Sequence, residues 1–356
     1  MVGMNAPISH KASIRQAELG DAEEVARIER FVARHRGSVF QRPLWLLAIE
    51  RGTANDALGL VIERAGDLQG WLPLTDVHSP LFGRALVSSG FGVDGGVLAK
   101  REEDVSGLCH AAEELANRRA ASSVELRGGP APSEWRPVTG KHAGFTSDLA
   151  ADDEAQLLAI PRKARAEVRK GLKNDLDVSI GQGPEDRAAH YAVYAESVRN
   201  LGTPVFPRRL FDAVLDMFGQ TADILTVSHR GTPVASVLSL YHHGAVMPFW
   251  GGGRWAARSL RANERMYYEL MCHARRKSCT RFDFGRSKIG SGPYAFKKNW
   301  GFEPQPLTYH MWTPPGVEPR NVDPTDEGYS AKIALWKRLP LPIANRLGPW
   351  IARGLG

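Results

Sequence analysis

The stretch 280-TRFDFGRSKIGSGPYAFKKNWGF-302 decides how this chain is read. Phe282 and Phe284 alternate with Asp283, the period-two pattern of a short strand whose faces meet different surroundings. Gly285 is expected to end that strand, and Gly290 and Gly292 keep the following loop free of side chains. Pro293 suits the first turn of a helix, where its missing N–H leaves no bond unmade. The helix then runs from Tyr294 to Trp300 and stops at Gly301, and Phe302–Trp312 reads as one further strand. A loop between a strand end and a helix N-terminus presents backbone N–H groups to an anion. Arg286, Lys288, Lys297 and Lys298 crowd that loop and helix, so the unit reads as a candidate anion or substrate site.

The same logic extends upstream. Ala245–Phe249 is strand-like, Trp250-Gly251-Gly252-Gly253 reads as a glycine loop, and a helix is expected over Ser259–Lys277. Trp250 beside the three glycines either stacks on a sugar or base or packs in the core. Thr221–Arg230 and Thr232–His242 form a hairpin turning at Arg230 and Gly231. Before it, Pro161 opens a helix in which Arg162, Arg165 and Arg169 share a face by their spacing of three and four. Glu167 is almost the only opposing charge there, so an anion or open solvent must accommodate that face. The first half alternates in the same manner: a strand at Ser13–Ala17, a helix capped by Asp21, strand pairs around Gly66-Asp67, a helix over Asp104–Ala120 and a strand at Val124–Arg127. Strands and helices in this mixture predict an α/β (α+β) fold.

Length and composition bound the function. At 356 residues the chain exceeds one average domain of roughly 150 residues. Met1–Ala12 is read as a flexible N-terminus, 13–150 as a first domain, 151–315 as a second that carries the active site, and 316–356 as a tail. A net charge of +7 favours an anionic partner such as nucleic acid, a nucleotide-linked substrate or an acidic membrane surface. No run of residues approaches a membrane span, and Met1–Ala12 lacks the apolar core of a secretion signal, so a cytoplasmic, monomeric protein is expected. Three widely spaced cysteines, Cys109, Cys272 and Cys279, form neither a disulfide framework nor a zinc site, and no metal is expected.

The second half resembles a GNAT acyltransferase domain. More specifically, Ile160–Trp312 resembles the Fem-type (FemAB-like) peptidyl aminoacyltransferases, which carry two such domains in tandem. The resemblance rests on the basic helix and strand RKARAEVRKGLKNDLDVSI, on Ala262-Asn263, on FDFG at 282–285 and on FKKNWGF at 296–302. GRSK at 285–288, the Gly-Pro-Tyr-x-Phe-Lys-Lys run and GWLPLTDVHSPLFGRALVSSGF at 70–91 are similar to the subgroup that accompanies exosortase (PEP-CTERM) and exopolysaccharide systems. The resemblance implies two tandem GNAT-like domains with mixed, largely antiparallel sheets. It also implies transfer of an acyl or aminoacyl group to an amine of a peptide- or glycan-containing acceptor, with no tightly bound cofactor. Lys297 aligns with the lysine of the Fem pattern and is implied to stabilise developing negative charge or hold the donor. Asp283 either accepts a proton or caps a turn. Arg286, Lys288, Gly251, Gly252, Gly253 and Asn263 are candidates for donor phosphates, and Arg162, Arg165, Arg169 and Trp250 for the acceptor or RNA. The donor is aminoacyl-tRNA or acyl-CoA. GGGRWAARSLRAN lacks the glycine order usual for CoA in GNAT enzymes, and the excess of cations suits tRNA.

Two readings outside catalysis also follow. One is a non-catalytic double-GNAT module that binds nucleic acid or scaffolds an assembly through its basic face. The other concerns Ala331–Gly356, where Trp336, Leu339, Ile343, Leu347 and Trp350 interleave with Lys332, Lys337, Arg338, Arg346 and Arg353. Such a tail either lies on an anionic membrane or packs back onto the protein.

Overall fold

The computed structural model describes residues 12–320 and 327–356. Residues 1–11, and with them nearly all of the flexible N-terminus expected above, lie outside it. The first half runs β1 Ser13–Gln16, α1 Ala22–Arg34, α2 Pro43–Thr53, β2 Asp56–Arg64, β3 Asp67–Ser79, β4 Gly83–Val87, β5 Leu98–Ala99, α3 Glu102–Arg118, β6 Val124–Arg127, β7 Arg136–Val138 and β8 His142–Asp148. The second runs α4 Asp153–Ala159, α5 Arg162–Lys173, β9 Asp177–Gly181, α6 Pro184–Leu201, α7 Arg208–Phe218, β10 Ala222–His229, β11 Thr232–His242, β12 Ala245–Gly253, α8 Ala257–Leu260, α9 Ala262–Arg276, β13 Arg281–Lys288 and α10 Gly292–Asn299. β14 Pro304–Pro306, β15 Tyr309–Trp312, α11 Glu327–Arg338 and α12 Leu341–Ala352 complete it.

Local chemistry accounts for most boundaries. Asp21 caps α1 by accepting from the Glu23 N–H at 3.0 Å. The β10–β11 hairpin turns on Arg230 and Gly231, both with positive φ, the geometry that matches strand twist. Ser291, not a residue nearer Tyr294, caps α10, with Pro293 inside its first turn as expected.

The two sheets exchange strands. One has the order β1-β2-β3-β4-β6-β15-β7 with β5 beside β3, and the other has β14-β8-β13-β12-β11-β10-β9. β8, read at sequence level as part of a first domain ending at 150, pairs with β13 and β14 of the second sheet. Phe302–Trp312, expected as one strand, is two: Pro304–Pro306 pairs with β8, and Tyr309–Trp312 crosses over to lie between β6 and β7. Pro304 and Pro306 have no N–H to donate, which suits a short edge strand. The 150/151 and 315 boundaries therefore do not follow the sheets.

A shared core joins the halves. Trp45, Phe40 and Ile49 of the first half pack with Phe211, Val214, Phe218 and Trp250 of the second, all buried. Trp45 stacks on Trp250 with centroids 5.8 Å apart. α2 and α7 approach so closely that a Cβ on Gly52 would lie 2.5 Å from the Leu210 Cα. The C-terminal region packs back onto this body: Gly348 of α12 sits against Val205, and the Arg353 carbonyl accepts from the Asn55 amide at 2.9 Å. Ile343, Leu347 and Trp350 remain 45–51% exposed on the outer side of α12.

Candidate active site

The site begins with two bulges. β12 and β13 run parallel but pair only at Ala245↔Arg281 and Val246↔Phe282. Just beyond, Phe249 is left over between Leu238↔Trp250 and Ser239↔Pro248, so β12 bulges against β11. At the matching level Phe284 and Gly285 together oppose Phe145, so β13 bulges against β8. Gly285 takes φ +65°, which a glycine adopts without strain, and its N–H is received by the Asp283 carboxylate at 2.9 Å. This corrects the expectation that the strand stops at Gly285: it bulges and continues to Lys288. The two strands splay, leaving the facing backbone edges beyond Val246 without a ladder partner on each other.

The splay opens on a cavity of about 330 Å³ between the halves. Its walls include Arg36–Phe40, Val93 and Asp94 from the first half, and His242, Met247–Phe249, Asp283, Gly285 and Arg286 from the second, with Tyr309 of the crossed strand. Burial raises the pKa of the Asp283 carboxyl, against opposing contributions from the Gly285 N–H and the Lys297 charge. Asp94 is raised as well, by the protein around it and by the charge of Asp283, although its side chain remains reachable by solvent at the cavity mouth. His242 holds the Gly37 carbonyl at 2.9 Å through Nε2, and burial pushes it down to about 4. It is therefore neutral at physiological pH, with Nε2 carrying the proton and Nδ1 an acceptor. Arg286 donates to the Tyr309 hydroxyl at 2.9 Å, which in turn donates to the Val93 carbonyl at 2.9 Å, linking β13 to the first half. The cavity thus offers two carboxylates able to take a proton and an imidazole that burial keeps neutral, beside a fixed guanidinium able to attract an anion.

The expected site residues divide. Asp283 and Arg286 line the cavity. Lys297 does not: it is 8% exposed, donates to the carbonyls of Gly285 and Arg286 at 3.2 and 3.0 Å, and lies over the Phe145 and Phe284 rings. It braces the bulge from beneath, and burial lowers its pKa to about 8. Gly251, Gly252 and Gly253 are not a loop but the end of β12, paired with Val237, Ser236 and Ala235. Their lack of side chains serves close packing: a Cβ on Gly252 would lie 2.2 Å from the Ser197 hydroxyl, and one on Gly253 2.5 Å from the Asn263 side-chain oxygen. Trp250 is 5% exposed within the shared aromatic core, so it packs and does not offer a stacking surface. Arg162, Arg165 and Arg169 lie opposite the Ala164, Val168 and Gly171 face by which α5 packs, and none of them lines the cavity. Lys288 belongs to a second cavity on the far side of Arg286. Cys109, Cys272 and Cys279 are buried free thiols. Sequence reading gave no role to Asp94 and Tyr309, which only the strand exchange brings to β13. His242 lies at the end of β11, and its place at a strand end is the one signal of it in the sequence.

Residues 161–298 match the family model described as an acetyltransferase (GNAT) domain. No curated protein matches the chain. Among solved structures the chain is similar to FemX, with 14% identity, 80% of this chain and 95% of that one covered, and a TM-score of 0.63. It is also similar to a tandem GNAT protein from the clavulanic acid biosynthesis pathway (13% identity, 87% and 100% covered, TM-score 0.57) and to L-PGS from Bacillus licheniformis (14%, 94% and 97%, 0.52). The fold is that of a tandem GNAT protein, and residues 161–298 within it match a GNAT acetyltransferase domain in sequence.

Proposed function

We propose that this protein is an acyltransferase that joins an activated acyl or aminoacyl group to an amine in the cavity between its two halves. The observation that carries the reading is the splay of β12 and β13 opening directly onto Asp283. An acyl donor threaded into the splay brings its carbonyl to the unpaired strand edges, and an amine entering from the cavity meets the carboxylate. The amine nitrogen attacks the carbonyl carbon, the C–N bond forms, and the C–O or C–S bond of the donor breaks. The proton leaves the amine for Asp283 and passes to the departing oxygen or sulfur. Arg286 holds an anionic part of a substrate beside this step. Lys297 acts by keeping the bulge in place.

Two donors fit, aminoacyl-tRNA and acyl-CoA. The exposed Arg162 and Arg169 of α5 and the exposed Trp255, with Arg258 stacked 4.4 Å over its ring, favour RNA. The acceptor is a peptide- or glycan-containing amine, and the GRSK and Gly-Pro-Tyr-x-Phe-Lys-Lys runs favour a setting in cell-envelope or exopolysaccharide biosynthesis, in the cytoplasm and with the outer face of α12 turned to the membrane. Titration of the purified protein with acetyl-CoA, and separately with charged and uncharged tRNA at two salt concentrations, tests the donor. Charging-dependent, salt-sensitive tRNA binding supports the aminoacyl reading. Binding of acetyl-CoA alone replaces it with ordinary N-acetyl transfer, and transfer from neither donor leaves a binding module.

A further inference from the structure

Arg286 and Tyr309 form a wall with a cavity on each side. Beyond the transfer cavity lies a second one, about 380 Å³ and partly open, where β6, β15, β8 and β13 meet beside Arg320 and Leu355. The strand exchange creates it: Arg127↔Tyr309 and Glu125↔Met311 are cross-strand pairs, so these four side chains share the face that looks into it.

Its charges do not balance among the described residues. Arg127, Arg286, Arg320, Lys141 and Lys288 line it with Glu125 as the one acidic side chain, and Arg320 is met besides by the Gly354 and Gly356 carbonyl oxygens at 3.1 and 2.8 Å, so the excess falls on Arg127 and Arg286. Glu125 accepts from Arg320 at 3.0 Å, while its other oxygen stands 3.9 Å from Arg127, too far for a hydrogen bond. Arg127 is 7% exposed and donates to a neutral group, the Gly92 carbonyl at 3.1 Å; Arg286 likewise donates to the Tyr309 hydroxyl. Burial and the neighbouring Arg286 together pull Arg127 down to about 10, and burial among the same cations lowers His142 to about 4. A buried guanidinium that donates only to a neutral carbonyl, with a second, half-buried guanidinium beside it, is costly unless an anion joins them. Planar forks converging from different strands suit an oxyanion with several acceptors and more than one negative charge.

We propose that this second cavity binds a phosphate or diphosphate group, carried by a substrate whose reacting end lies past the Arg286–Tyr309 wall in the transfer cavity. The substrate part of this statement rests on the acyltransferase reading; the anion site stands on its own geometry. Calorimetric titration with pyrophosphate and inorganic phosphate at constant ionic strength tests it, with vesicles of phosphatidylglycerol in phosphatidylcholine as a separate arm. Saturable binding is expected, to the soluble anions first if the phosphate belongs to a nucleotide-type ester and to the vesicles first if it belongs to a lipid headgroup. Arg127→Met, checked for folding by circular dichroism, is expected to weaken pyrophosphate binding about tenfold or more. Glu125→Gln removes the competing carboxylate and is expected to tighten it several-fold, an effect that a merely structural role for Glu125 would not produce. No saturable binding in any arm overturns the proposal, and so does a Glu125→Gln protein that binds no more tightly than wild type. Pyrophosphate binding without transfer from either donor would sink the acyltransferase reading and leave the anion site. Transfer without pyrophosphate binding would do the reverse.

Discussion

Asp283 and Lys297 lie close along one bulge but are set to different tasks by where their heads point. The Asp283 carboxylate faces the cavity with its pKa raised by burial, so its charge costs stability at neutral pH even though it accepts the Gly285 N–H, as the proposed role of proton acceptor requires. Asp283→Asn keeps the acceptor for the Gly285 N–H. It should lower kcat/KM about 10²- to 10⁴-fold while leaving the melting temperature equal or higher. In the wild type, activity should fall as pH drops through the raised Asp283 pKa, above the ordinary carboxylate range, and the variant should lose that limb. Lys297 instead titrates from about 8 in the folded protein against an ordinary 10.5. Between those values the unfolded chain binds more protons, so stability due to this lysine rises with pH across that window. Compared with Lys297→Met, the wild type should gain about 1–3 kcal/mol from pH 8 to 10.5, read from denaturant midpoints at each pH. Equal pH slopes in the two proteins would mean that the lysine is not buried against the bulge carbonyls.

At the scale of elements, glycines decide which surfaces touch. Gly252 lets α6 lie on β12, and the 2.2 Å approach of a built Cβ to Ser197 leaves no room for a side chain. Gly252→Ala should therefore destabilise by about 1–3 kcal/mol. Gly285 has open space around its Cβ direction but a φ of +65°. Gly285→Ala should cost only about 1–2 kcal/mol in stability while flattening the bulge and reducing transfer, so the two glycine variants separate packing from site geometry. α5 provides a third test. Its packing face is Ala164, Val168 and Gly171, and Arg162 and Arg169 are exposed. Reversing Arg162, Arg165 and Arg169 to Glu should reduce the salt slope of tRNA binding by about 2–3 without unfolding the protein. An unchanged slope would place the RNA elsewhere.

At the scale of the whole molecule, two GNAT-like halves share one buried core and should unfold together. Trp250→Ala should cost about 3–5 kcal/mol and lower a single calorimetric transition, because Trp45 and Phe211 on either side lose the same partner. Two separated transitions would show that the halves fold independently. The exchanged strands argue the same way: removing β15 strips the first sheet of the strand that joins β7 to β6, and the cavity of Tyr309.

Local pattern determined much of this protein. Period-two alternation marked the strands, threefold and fourfold spacing marked α1, α3 and α5, and the stretch 280–302 revealed a strand, helix and basic loop whose Asp283 and Arg286 do face the cavity. These are properties of neighbours in the chain, and sequence carries them directly. The tertiary structure alone decided the rest. HAGFTSD at 142–148 does not read as a strand of the second sheet, because its partners are some 140 residues distant, and a single strand read over 302–312 cannot show that it changes sheets. The glycines at 251–253 look like a phosphate loop until α6 and α9 are seen resting on them. Lys297 looks like a reacting group until its ammonium is found holding two backbone carbonyls. Which side of a strand faces a partner, and which charge is left facing another, depends on long-range pairing, and only the folded chain sets that pairing.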